Sequence, residues 1–204
     1  FKKKGVSLQS RRGYTIIETM IAVSLFVIII MSGMGALLNA NLLHEKSQDM
    51  RSIMDNLSFI MEDMSRNLRT GSNYYCLVSG DSLPPASSVS LPKSCSSGWG
   101  FAFEASGGSA LNDDDQWVYY IDAGKIFKSV LGPSSLNNFI QLTPDEVVID
   151  GLESNFSVFG AEGAVSDDIQ QPFVVMHLVG SITYKDVVTP FSLQTTVSQR
   201  LIDI

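Results

Sequence analysis

Positive charge is scarce over most of this chain. Of 14 Lys and Arg in 204 residues, five (Lys2, Lys3, Lys4, Arg11 and Arg12) fall within the first thirteen positions, which hold no acid. The other nine face 21 Asp and Glu, so the remainder carries about −12 against −7 for the whole. Nucleic-acid binding needs clustered Lys and Arg on a broad face, and a body this acidic argues against it. Histidine is almost as rare, with only His44 and His177. No G-x-S-x-G nucleophile elbow, phosphate loop or dinucleotide fingerprint is present. The expectation is a protein without catalysis and without a cofactor. Two cysteines, Cys76 and Cys95, lack the paired C-x-x-C spacing of a zinc site. Three successive acids, Asp113, Asp114 and Asp115, are a candidate calcium cluster but lack the D-x-D-x-D-G spacing. A solvated turn before a strand explains them as well.

What the chain has in excess is an apolar run near its start. Residues 14 to 38 are almost entirely apolar, and Glu18 is their only charge. The run is long enough to cross about 30 Å of hydrocarbon as a helix. A secretory signal peptide has a shorter apolar core and a small-residue cleavage site after it, and no A-x-A site follows here. A plain membrane anchor fits the length and the basic flank, and the positive-inside rule then places the first residues in the cytoplasm. It leaves Glu18 without a reason, because a carboxylate in a spanning helix is costly and usually has a partner. Snorkelling toward the headgroups is the simple alternative for a residue so early in the span. If the body lies outside the cytoplasm, a Cys76–Cys95 disulfide can persist. It would close a loop of about 20 residues and contribute roughly 3 kcal/mol. Two unpaired buried thiols are the alternative.

Arg11-Arg12-Gly13, then Tyr14, Thr15-Ile16-Ile17 and Glu18, resemble the signal of type IV prepilins: a basic leader ending in Gly, an aromatic residue, and a Glu five positions after the Gly. The family more often has Phe where this chain has Tyr14. The resemblance implies cleavage by prepilin peptidase between Gly13 and Tyr14 and N-methylation of Tyr14. It also implies a pairing of Glu18 with the N-terminal amine of a neighbouring subunit. Leader 1–13, membrane and filament half-helix 14–38, amphipathic half-helix 39–70 and β-rich head 71–204 are the expected divisions.

The second half-helix rests on periodicity. Met50, Met54, Leu57, Met61, Met64 and Leu68 fall on one face, and Gly71 is a natural stop. Core packing explains the methionines better than metal binding or an adaptable groove. Gly33 and Gly35 suit either a bend on assembly or close helix–helix approach. Beyond Gly71, strands are expected at 74–78, 98–103, 116–121, 125–130, 147–149, 156–159, 173–184 and 191–197. A three-residue turn, Asp122-Ala123-Gly124, is expected inside the central hairpin. One helix followed by an antiparallel sheet is an α+β fold.

The whole chain is similar to the J-type pseudopilins of type II secretion and the W-type minor pilins of type IV pili. The residues that carry this are the amphipathic run 54–69, the 119–128 hairpin, Leu142-Thr143-Pro144 and the closing 194–200 segment. The resemblance implies a non-enzymatic subunit at or near a filament tip. Its partners would be other pilin subunits, prepilin peptidase, an inner-membrane assembly platform and the lipid bilayer, with no nucleic acid. A tethered extracytoplasmic binding domain and a DNA-uptake pseudopilin are the alternatives.

Overall fold

The computed structural model describes residues 13–78, 83, 91–109, 112, 114–162, 170–184 and 187–200. Leader residues 1–12 and Asp113 lie outside the described residues. The architecture is α+β, with one long helix, α1 (Ile16–Thr70), followed by strands in two antiparallel sheets. The chain divides after Gln48 into two units.

In the first unit the described backbone is helical from Ile16 onward, and the helix runs unbroken through Gly33 and Gly35. Its few hydroxyls turn back on the helix. Thr19 Oγ1 donates to the Ile16 carbonyl (2.8 Å), Ser24 Oγ to Ile21 (2.9 Å) and Ser32 Oγ to Ile28 (2.9 Å). Such back-bonds satisfy a polar group inside the helix itself, so the outer surface is left apolar.

In the second unit the strands are, in chain order, β1 (Ser72–Leu77), β2 (Cys95–Gly98), β3 (Gly100–Glu104), β4 (Gln116–Asp122), β5 (Lys125–Ser129), β6 (Ile140–Gln141), β7 (Val147–Ile149), β8 (Asn155–Phe159), β9 (Phe173–Tyr184) and β10 (Val187–Ser198). One sheet has the order β1-β3-β4-β5-β6; the other has β10-β9-β8-β2, with β7 also pairing β9. The sequence suggests a single sheet. Two form because β2 leaves β1 and pairs with β8, while β3 returns to β1.

The buried helix face is Ile53, Leu57, Ile60, Met61, Met64 and Leu68. Met50 and Met54 of the expected stripe are only partly buried and pack at its margin. This face joins Tyr74, Phe101, Phe103, Tyr119, Phe156 and Met176 in one core cluster that both sheets share. Phe101 is the hinge of that core, with its ring 5.3 Å from Tyr119 within its own sheet and 4.9 Å from Phe156 of the other. Fully burying side chains such as Leu57, Met64 and Leu68 stabilises by roughly 1.5–3 kcal/mol each, which fixes the helix on the sheets.

The end of α1 is closed by distant groups. Tyr74 Oη donates to the Leu68 carbonyl (2.6 Å), and the Arg200 N–H donates to the Arg69 carbonyl (2.8 Å). These satisfy carbonyls that a helix terminus otherwise leaves without partners. Burial pushes the Tyr74 hydroxyl far above its ordinary pKa, so it stays a donor. The central hairpin turns on two residues, not three. Asp122 pairs with Lys125, and Ala123 (φ 46°) and Gly124 (φ 75°) both have positive φ. That is the primed turn whose twist matches the strands it joins.

Candidate functional site at the start of the long helix

Gly13, Tyr14 and Thr15 precede the first helical residue, Ile16. All three are exposed, and nothing crowds Gly13, where an added Cβ would meet no atom within 4 Å. Tyr14 is 82% exposed.

Glu18 lies in the first turn of α1 and is exposed. Its own N–H donates to Thr15 Oγ1 at 3.3 Å, and the Thr19 N–H donates to the Thr15 carbonyl at 3.2 Å. Thr15 is thus the N-cap and Glu18 the third helical residue. Thr15-Ile16-Ile17-Glu18 has the S/T-x-x-E order of a capping box, in which an acid is also favoured by the helix dipole. This local setting is not among the expectations for Glu18, although the four-residue signature is present in the sequence.

From Tyr14 to Leu43 the large apolar side chains stand exposed, including Ile17, Met20, Phe26, Ile29, Met31, Leu37 and Leu38. By length and composition α1 could cross a membrane. An apolar surface of this extent is far beyond what a monomer in water normally presents.

The other sequence candidates lie in the head. The Cys76 and Cys95 sulfurs sit at disulfide-bonding distance, with Cα atoms 5.9 Å apart. Cys95 opens β2, between the strands expected at 74–78 and 98–103. Beside it, Glu162 accepts from the Ser94 N–H (2.7 Å) and from the Ser94 hydroxyl. Burial raises the Glu162 pKa, but the Ser94 bonds outweigh it and hold the carboxyl below its ordinary value.

Of the acidic cluster, Asp113 is outside the described residues and Asp114 is exposed. Asp115 accepts from the Ser109 N–H at 3.1 Å, and the Asp114 N–H reaches Asn112 Oδ1 at 3.4 Å. Among the described residues no three metal-ligating side chains converge. His44 is exposed on α1 and lies 3.1 Å from Gln48 Nε2. His177 lies on β9, 3.5 Å from Ser192 Oγ across the β9–β10 ladder, at the outer limit of a hydrogen bond.

The chain matches no protein-family model, no curated protein and no solved structure.

Proposed function

We propose that this chain is a type IV pilin-like filament subunit, a minor pilin or pseudopilin of a type IV pilus or type II secretion system. Prepilin peptidase cuts after Gly13 and methylates Tyr14. The apolar half of α1 first lies in the inner membrane, with its start in the cytoplasm and the head outside. It then passes into a bundle of sister helices at or near a filament tip. The observation that carries this reading is the uncovered apolar surface from Tyr14 to Leu43, with a lone acid in the first turn directly after an accessible glycine.

The physics favours assembly over a bare anchor. A membrane accepts the apolar side chains at about −0.3 to −0.6 kcal/mol each near its centre and rejects a buried carboxylate by a few kcal/mol. In a bundle, the trimmed amine of a neighbour neutralises Glu18. Breaking such a buried pair costs about 3–5 kcal/mol, even where forming it is nearly neutral. The pair therefore acts as a register pin. The external head suits a Cys76–Cys95 bond, which persists only in an oxidising compartment.

A tethered domain that never assembles is the second reading, and the T-x-x-E order from Thr15 to Glu18 favours it, because the Glu18 carboxylate of a completed capping box would have a use within one chain. Two substitutions separate the readings. Glu18→Gln keeps the side chain that a capping box accepts but removes the charge; Glu18→Val removes both. Pairing across subunits requires both variants to be processed normally yet to lose incorporation into filaments more than tenfold. Normal incorporation of Glu18→Gln, scored by immunoblot of sheared filaments, leaves only the capping role.

A further inference from the structure

We propose that the groove between α1 and β10 takes an extended acidic segment of another polypeptide, which adds as a further strand to the free edge of β10. This proposal does not rest on the filament reading. It starts from the edge itself. β10 is twelve residues long and, among the described strands, pairs only with β9. In an antiparallel ladder every second residue of an outer strand turns its N–H and C=O away from its neighbour. Proteins usually blunt such edges with charge, proline or a bulge. Pro190 does this for the first part of β10. From Phe191 to Ser198 there is no charged residue and no proline, and the register with β9 is one to one throughout. Among the described residues nothing but β9 pairs with that half of the strand.

The groove beside this half has the shape and charge for a strand. A cleft of about 320 Å³ lies between Met61 and Ser65 of α1 and Leu193 and Thr195 of β10. It is followed by a cavity of about 650 Å³ lined, against the single carboxylate Glu62, by Arg66 and Arg69 at the end of α1 and by Arg200 just past β10. These are three of the nine cations outside the first thirteen residues, in a body of about −12. Two other cations of the head are engaged. Lys125 donates to the carbonyls of Pro144, Asp145 and Val147, and Lys128 pairs with Asp63. Among the described residues the ion pair of Arg66 is with the exposed Glu62 carboxylate, at 3.6 Å and with both side chains more than two-thirds exposed, a pair easily exchanged. Guanidinium groups bind carboxylates through paired N–H bonds, so acidic side chains or a terminal carboxylate suit this end. Main-chain pairing supplies affinity and the pockets supply selectivity, as in other strand-addition sites. A phosphate-bearing ligand would find the arginines but could not use the edge.

The test uses the full chain in non-ionic detergent and a fluorescein-labelled decapeptide of alternating Val and Glu with a free carboxylate. Fluorescence anisotropy should show saturable binding that weakens as salt rises. Arg66→Glu, Arg69→Glu and Arg200→Glu together should weaken it on the order of tenfold or more, and should gain binding to the matching Val/Lys peptide. Two N-methylated versions of the acidic peptide probe the backbone of the unaltered protein. Methylation of one alternate set of amides should abolish binding, while methylation of the other set should not. Amide exchange in 191–198 should slow when the parent peptide binds. Absence of saturable binding, equal binding to the triple variant, or equal binding of both N-methylated peptides overturns the proposal. Each of these results leaves the processing and assembly of the chain a separate question.

Discussion

Neutralising Asp63 tests how the head grips its helix. Asp63 projects from α1, and its Oδ2 accepts from Lys128 Nζ of β5 at 2.8 Å and from Tyr119 Oη of β4 at 3.3 Å. Asn67 Nδ2 donates to the other oxygen at 3.1 Å. Lys128 Nζ also lies 4.3 Å from the Trp117 ring centroid. Burial alone raises the Asp63 pKa, but the Lys128 hydrogen bond and charge, with Asn67 and Tyr119, outweigh it and bring the net value below 3.8.

A charge-assisted hydrogen bond contributes roughly 1.5–3 kcal/mol. The Asp63 side chain is 39% exposed, however, so screening reduces this pair to about 1 kcal/mol. Asp63→Asn should therefore lower the stability of the head by about 1 kcal/mol at neutral pH, or roughly 2–4 °C in Tm. Lys128→Met should cost about 0.5–1 kcal/mol more, because it also removes the cation from the Trp117 face. The double variant should show coupling of at least about 0.5 kcal/mol.

The pH dependence has a fixed sign. A depressed folded pKa gives stability that is full above the unfolded value and is lost as pH falls through the folded one. The gap between wild type and Asp63→Asn should be constant near neutrality and close as pH drops below the ordinary carboxylate value of 3.8. Denaturant unfolding of the full chain in detergent, followed by fluorescence of Trp99 and Trp117, reads this directly. An Asp63→Asn variant as stable as wild type at pH 7, or a gap that does not narrow in acid, would refute the reasoning.

Reduction of Cys76–Cys95, or the Cys76→Ser/Cys95→Ser pair, should destabilise the head by about 3 kcal/mol if the bond closes its loop in the mature protein; thermal melts with and without reductant check this, and identical curves contradict it. Gly98→Ala should cost more than about 2 kcal/mol, since its Cβ would fall 2.5 Å from Cys76 Sγ and 2.6 Å from the Leu77 carbonyl oxygen. The same fluorescence unfolding assay measures the loss, and a change under 0.5 kcal/mol would mean the strands shift freely at that point.

Local signals carried much of the fold. The periodic face and Gly71 place the end of α1 at Thr70, and the helix does stop there. Alternating β-branched and aromatic runs locate β4, β5, β8 and β9 to within a residue or two of their observed bounds. β2 was not legible, because Cys95-Ser96-Ser97-Gly98 has little intrinsic strand tendency and is extended only through its pairing with β8. The two-residue turn was obscured by Ala123, which adopts positive φ under the pull of the hairpin register. The split into two sheets depends on which distant strand each short strand meets, and no local pattern encodes that. The Thr15 cap stood in the sequence as a T-x-x-E signature, overshadowed by the spacing of Glu18 from Gly13. The arginine groove was not, since Arg66 and Arg69 meet Arg200 only after the whole head has folded.

The filament reading depends most on what the cell does to the start of the chain. The decisive measurement is mass spectrometry of the N-terminal peptide from the protein as its native host makes it. Processing as proposed leaves Tyr14 as the first residue, with a methyl group on its amine. A mature chain that still carries Arg11, Arg12 and Gly13 ahead of Tyr14 would contradict it.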